Sequence, residues 1–188
     1  MSYGVMAYLV PKGAFNKLTN SYRNSQKTSF LSFFQKSFDH YSVISEQNGE
    51  RLDSLNDEVT NENPEITYPF ADHVLKQFLF NEITNTDYDH VNGYVFEIIC
   101  GYLGEQLDNS SWYPSSSASV YSIPFMDHKL PYKFTMYSEW PGISHVDYKS
   151  IKKEFFKLDE ACEEQHEQLI SWFERAITEK KDLYLFHY

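Results

Sequence analysis

Apolar positions along this chain recur with two different periods, and the changes between them mark out the elements. Residues Tyr3–Val10 (YGVMAYLV) form a short run of strand composition, which Pro11 and Gly13 bring to an end. A short helix is predicted next, with Phe15 and Leu18 on one face. From Thr28 to about His40 the spacing of Phe30, Leu31, Phe34 and Phe38 predicts a second helix with a core-facing stripe. Residues 45–67 lose the pattern: they are polar, acidic and rich in Asn, and read as a flexible loop or a weak solvated helix. Pro69 then suits the first position of a helix, where its missing N–H costs nothing. That helix is expected to run to about Thr84 on Val74, Leu75, Phe78, Leu79 and Ile83.

The stretch Gly93–Leu107 is apolar around most of its circumference, so it predicts a helix buried on nearly all sides. Gly101 and Gly104 fall inside it and weaken it by roughly 1 kcal/mol each relative to Ala, a cost that makes sense if another element packs against the bare backbone. Asp108-Asn109-Ser110-Ser111 ends the helix. Two proline-bounded strands are predicted at Ser119–Phe125 and Tyr132–Tyr137. A long helix follows, with Asp159 as its N-cap and Cys162, His166, Leu169, Trp172, Phe173, Ala176 and Ile177 facing inward. Leu183–Tyr188 reads as a strand, expected to pair beside the first. The pattern therefore predicts an α/β (α+β) fold: one domain over 1–188, with several helices on a small mixed or antiparallel sheet built from both ends of the chain.

Composition supports a packed core. The chain is 41% hydrophobic and 18% aromatic, with 15 Tyr and 15 Phe, which excludes disorder for most of its length. At 188 residues it can bury roughly 70% of its unfolded surface without a disulfide or a structural metal. Cys100 and Cys162 form no CxxC pair and read as buried thiols. The first residues lack a basic n-region, and no run reaches the roughly 18 apolar residues of a membrane span, so a cytoplasmic location is expected.

The segments SYGVMAYLV, GYVFEIICGYLGEQLDNSSWYP and the terminal helix leading into DLYLFHY resemble a family of uncharacterised bacterial proteins, a domain of unknown function. The order of the elements is also similar to that of the small YfbM-like proteins. The resemblance implies an α/β fold and a bacterial source, and it carries no activity onto any residue.

Charge adds a functional clue. The net charge is −11, and it gathers in two windows. Residues 46–65 hold seven acids, among them Asp53, Asp57, Glu58 and Glu62, against the single base Arg51. Residues 159–174 hold six acids and no base. Such a field repels nucleic acid and anionic membrane and attracts a basic protein partner, although solubility alone would also account for it.

Catalytic signatures are missing. The sequence has no GxSxG elbow, no GxGxxG and no GxxxxGK[ST]. Cys162 and His166 share a helix face but supply only half of a zinc site, so neither metal nor cofactor is expected. Glu97, the acid in the first turns of the apolar helix, is either a functional carboxylate or a satisfied core-edge acid. Asn109, Trp112 and Tyr113 mix amide and aromatic groups of the kind found at recognition surfaces, and Asp108 or Asn109 equally suits the helix C-terminal cap. Two functions follow as expectations. One is a non-enzymatic protein-binding domain, more narrowly an immunity or antitoxin-type inhibitor of a basic bacterial toxin. The other is a small enzyme or ligand-binding domain with its site near 94–113, using Tyr94, Glu97, Asn109, Trp112 and His187.

Overall fold

The structure is a computed structural model that describes residues 4–23, 29–34, 36–37, 69–80, 92–112, 130–132, 141–152 and 163–188. The acidic segment 45–67 with Asp53, Asp57, Glu58 and Glu62 lies outside the described residues, as do Tyr113, Asp159, Cys162 and the strand predicted at 119–125. Of the strand predicted at Tyr132–Tyr137, only Tyr132 is described, as a bend.

The fold is α+β, with an antiparallel four-stranded sheet that takes strands from both ends of the chain. Strand β1 spans Val5–Pro11, β2 Glu105–Gln106, β3 Gly142–Val146 and β4 Lys181–His187. Their order in the sheet is β2-β1-β4-β3. The terminal strand pairs beside the first, as expected, in a seven-pair register from Val5↔His187 to Pro11↔Lys181. Both central strands are apolar at alternate and intervening positions because each of their faces is covered. Val5, Ala7, Leu9, Leu183 and Leu185 enter one core cluster, while Tyr8, Val10, Tyr184 and Phe186 are buried on the opposite face.

The chain divides into two compact units. The first comprises Met1–Phe15, Leu103–Pro131 and Ser138–Tyr188, and holds the sheet. Its long helix, α4 (Glu163–Glu179), packs Leu169, Trp172, Phe173 and Ala176 against the face carrying Val5, Ala7 and Leu9. Ile177, expected on that inner stripe, is 43% exposed: it projects from the flank of the buried arc centred on Trp172 and Ala176. After α4 the chain reverses through Lys180, whose φ of 55° is the left-handed conformation that ends many helices.

The second unit comprises Asn16–Tyr102 and Tyr132–Tyr137. Among its described residues it is helical and packed through aromatic rings. Helix α1 (Ala14–Arg23) brings Tyr22 to Phe30 at 6.3 Å and to Phe80 at 6.2 Å. Phe30, Leu31 and Phe34 are buried on the helical residues 29–34, as their spacing predicts. Helix α2 (Pro69–Phe80) begins at the proline and buries Leu75, Phe78 and Leu79. Phe78 stacks on Phe96 of helix α3 (Asn92–Leu103) at 6.0 Å.

Helix α3 corrects one expectation. It buries Val95, Phe96, Glu97, Ile98, Ile99 and Cys100, and so is enclosed on most sides as predicted. It ends at Leu103, however, not at Leu107. Gly104 is the stop, and Glu105 and Gln106 pair with Leu9 and Tyr8 as a short strand. A Cβ at Gly104 would stand 2.3 Å from the backbone oxygen of Leu9. The close approach inferred from the glycines is therefore real at Gly104, but it serves a helix-to-strand crossing.

Candidate functional site

Three groups of polar residues carry the chemistry of the described chain. The first is the turn that follows β2. Leu107 N donates to Ala7 O at 2.8 Å, which lays the chain along β1, and Asp108 then begins a tight turn. The Asp108 carboxylate accepts from Ser110 Oγ at 3.0 Å and from Gln168 Nε2 of α4 at 2.8 Å. Its backbone oxygen accepts from Trp172 Nε1 at 2.9 Å, and Ser111 N donates to Gln168 Oε1 at 3.1 Å. Asn109 Nδ2 donates to Val5 O at 2.8 Å, and Val5 N donates to Trp112 O at 3.2 Å.

These bonds tie the turn to helix on one side and to strand on the other. The structure thus brings Asn109 and Trp112 together, as the sequence suggests, but in a latch between α4 and β1. Trp112 is fully buried, 6.1 Å from Trp172 in the core cluster. Its Nε1 is buried and has no hydrogen-bond partner among the described residues. The Asn and Trp that suggested adaptable recognition are consumed by the fold.

The second group lies in the helical unit. Glu97 is 1% exposed, one turn before Cys100 on α3. Burial pushes the Cys100 thiol well above its usual range, and the Glu97 carboxylate adds to the rise. Burial there favours the thiol over the reactive thiolate. Tyr132 shares a hydrogen bond with Thr19 at 3.2 Å, and burial pushes its hydroxyl up to about 12. Glu97 and Cys100 are buried, whereas Thr19 and Tyr132 are half-buried. Glu97 and Tyr94 belong to the second unit, whereas Asn109, Trp112 and His187 belong to the first.

The third group was not singled out in the sequence as a cluster. Along β3 and β4, His145 stacks on Tyr184 with centroids 4.5 Å apart, and its Nε2 lies 4.0 Å from Asp182 Oδ2. Burial holds the Asp182 carboxyl above its ordinary value. Beside it, Asp147 accepts from Lys12 Nζ and Lys149 N at 2.8 and 2.9 Å. These bonds hold the Asp147 carboxyl below its ordinary value. On the opposite face of the same strands, His187 is fully buried and its Nε2 is 2.9 Å from Ser144 Oγ. No local motif reveals the pairings of His145 with Asp182 and Tyr184 or of Ser144 with His187, because these partners are 37–43 residues apart in sequence and meet only through strand register. Among the described residues no group of three or more His, Cys, Asp or Glu side chains is placed to hold a metal ion.

The surface of α4 completes the picture. Glu163, Glu164, Glu167 and Glu174 are exposed, on the side of the helix opposite Leu169, Trp172, Phe173 and Ala176. Beyond them, Arg175 bridges Glu105 at 2.8 Å and Glu179 at 2.7 Å, so the one arginine of this helix is held within the protein's own ion pairs.

Sheet, latch and acidic helix belong to one α+β unit, on which, among the described residues, Glu163, Glu164, Glu167 and Glu174 stand exposed on one helix face. The chain belongs to the family described as a domain of unknown function, DUF7691, whose profile matches residues 1–188. No curated protein and no solved structure matches it. Among the described residues, no helix is long and apolar enough to cross a membrane.

Proposed function

We propose that the protein is a non-enzymatic protein-binding domain that presents carboxylates to a basic protein partner, in the manner of an immunity or antitoxin-type inhibitor of a basic toxin. The observation that carries this reading is the outer face of α4. Four exposed glutamates stand there on a helix whose other side is fixed in the core by Trp172 and Phe173. A helix so anchored holds its charges in place before a partner arrives, which lowers the ordering cost of binding. Opposite charge on the partner raises the association rate. The acid-rich window 46–65 adds a second source of the same charge in the sequence.

The competing reading, a ligand site near 94–113, is weakened by the uses the fold already makes of Asn109 and Trp112. Association rates test the proposal. The partner is captured from the native host, and Glu163, Glu164 and Glu167 are replaced by Lys. The variant should associate at least tenfold more slowly at low ionic strength and approach the native rate at high salt, where the Debye length shrinks to about 3 Å at 1 M. The reversal of Asp53, Asp57 and Glu58 apportions the effect between the windows. An acidic partner, or rates that neither reversal alters, would refute the reading.

A further inference from the structure

We propose that the outer face of α4 is a docking seam for a basic amphipathic helix of a partner protein. The inference rests on the basic-partner reading above and gives that partner a shape. Glu163, Glu167, Ile170, Glu174 and Ile177 follow one another at intervals of four, three, four and three residues. Positions so spaced line up along one side of a helix, and here the line runs for about 21 Å. It lies outside the buried stripe of Leu169, Trp172, Phe173 and Ala176. The three glutamates are exposed, Ile177 is 43% exposed and Ile170 is half-buried. The same alternation of four and three is the one by which two helices interlock their side chains. A face serving solubility alone has no use for isoleucines at 170 and 177, about two turns apart on that line.

The mixture of residue types sets the chemistry of the occupant. An apolar side chain laid against Ile170 and Ile177 takes their surface out of water, which favours association. A carboxylate pressed into the same contact without a partner is costly, so an occupant apolar throughout fits poorly. Lysine or arginine opposite Glu163, Glu167 and Glu174 meets that requirement. The three carboxylates are available for it, since none enters an ion pair among the described residues. The one arginine of the helix, Arg175, is already held by Glu105 at 2.8 Å and Glu179 at 2.7 Å. A second copy of this chain does not fit. Docked parallel, it sets each glutamate against its own counterpart. Docked antiparallel about Ile170, it brings Glu167 and Glu174 together twice, and like charges opposed across an interface repel. The occupant is therefore a helix of another protein that carries apolar and basic residues along one seam.

Three synthetic alanine-rich helical peptides of about 20 residues, long enough to span the seam, test this by fluorescence anisotropy with the full chain. The first carries leucine and arginine in alternation at the seam spacing. The second keeps the arginines and has glutamine for leucine, and the third keeps the leucines and has glutamine for arginine. The first should bind about tenfold or more tightly than either control. Ile177→Gln should weaken it about fivefold at low and high salt alike. Glu174→Gln should weaken it mainly at low salt, where the Debye length is about 10 Å at 0.1 M against about 3 Å at 1 M. Both positions are exposed, so an unchanged urea midpoint separates lost contact from lost fold. Equal binding of the first and second peptides, or no effect of Ile177→Gln, overturns the seam and leaves the basic-partner reading standing. Equal binding of the first and third overturns both. Binding of none of the three, or a dimer of the chain that Ile177→Gln dissolves, also overturns the seam.

Discussion

Helices α3 and α4 use the same acidic side chain in opposite ways. On α3 the sole carboxylate of the helix, Glu97, is buried among Val95, Phe96, Ile98 and Ile99. On α4 the carboxylates Glu163, Glu164, Glu167 and Glu174 stay in solvent, and the buried apolar residues are confined to one stripe. The difference follows from pattern: an apolar circumference has no outer side, so any acid within it enters the interior, whereas an amphipathic helix sorts its acids outward. Glu97 can therefore serve the fold, or chemistry within it, but cannot meet a protein partner. The acids of α4 can meet a partner and contribute little to the fold. The recognition proposed above therefore rests on α4 and not on α3.

One substitution made on both helices tests the contrast most severely. Ile99→Ala removes a fully buried side chain from α3 and should destabilise the protein by about 2–5 kcal/mol, the range for large-to-small changes in a packed core. Ile177→Ala, at a position 43% exposed on α4, should cost less than about 1 kcal/mol. Urea unfolding midpoints measure both. Similar losses would show that the two helices are buried alike, and the division of labour between them would collapse.

The boundary of α3 offers an intermediate effect. Gly104→Ala places a methyl 2.3 Å from the Leu9 carbonyl oxygen, which is backbone paired within the sheet and has little room to yield. A loss of about 1–3 kcal/mol is expected from such overpacking. The loss should appear in the exchange protection of Tyr8 and Leu9 as well as in the midpoint. A variant as stable as wild type would mean that β2 detaches freely from β1.

Periodicity made much of this architecture legible in the sequence. The stripes of Phe15 and Leu18, of Phe30, Leu31 and Phe34, and of Leu169, Trp172 and Phe173 are local signals, and each predicts the buried face that the structure has. The pairing of the first and last strands was legible for a different reason: an apolar strand such as Leu183–His187 must cover both faces, and a central place in a sheet provides that. What stayed hidden depends on contacts between distant residues. Gly104 looks like a helix residue until Leu9 is known to lie against it. Trp112 looks like a recognition residue because it lies in a polar turn, yet Trp172 and β1 enclose it. Asn109 was readable as either a cap or a contact, and its bond to Val5 gives it a third role that no spacing reveals. The pairs His145–Asp182 and Ser144–His187 exist only through the β3–β4 register.

The smallest expected effect is the most telling for function. Replacing Glu163, Glu167 and Glu174 together by Gln removes three negative charges from α4 and leaves its buried stripe intact. Exposed charges without close partners contribute little to stability, so the midpoint should move by no more than about 0.5 kcal/mol. A slight loss is expected from Glu163, because a carboxylate in the first turn of a helix is favoured by the helix dipole. A slight gain is expected from Glu167 and Glu174, because relieving repulsion in a chain of net charge −11 favours the compact state. The same variant should associate measurably more slowly with a basic partner. Stability unchanged with association slowed would place these glutamates on a recognition surface. A large loss of stability would show instead that the carboxylates have structural partners, and α4 would then resemble α3 in the one respect that now separates them.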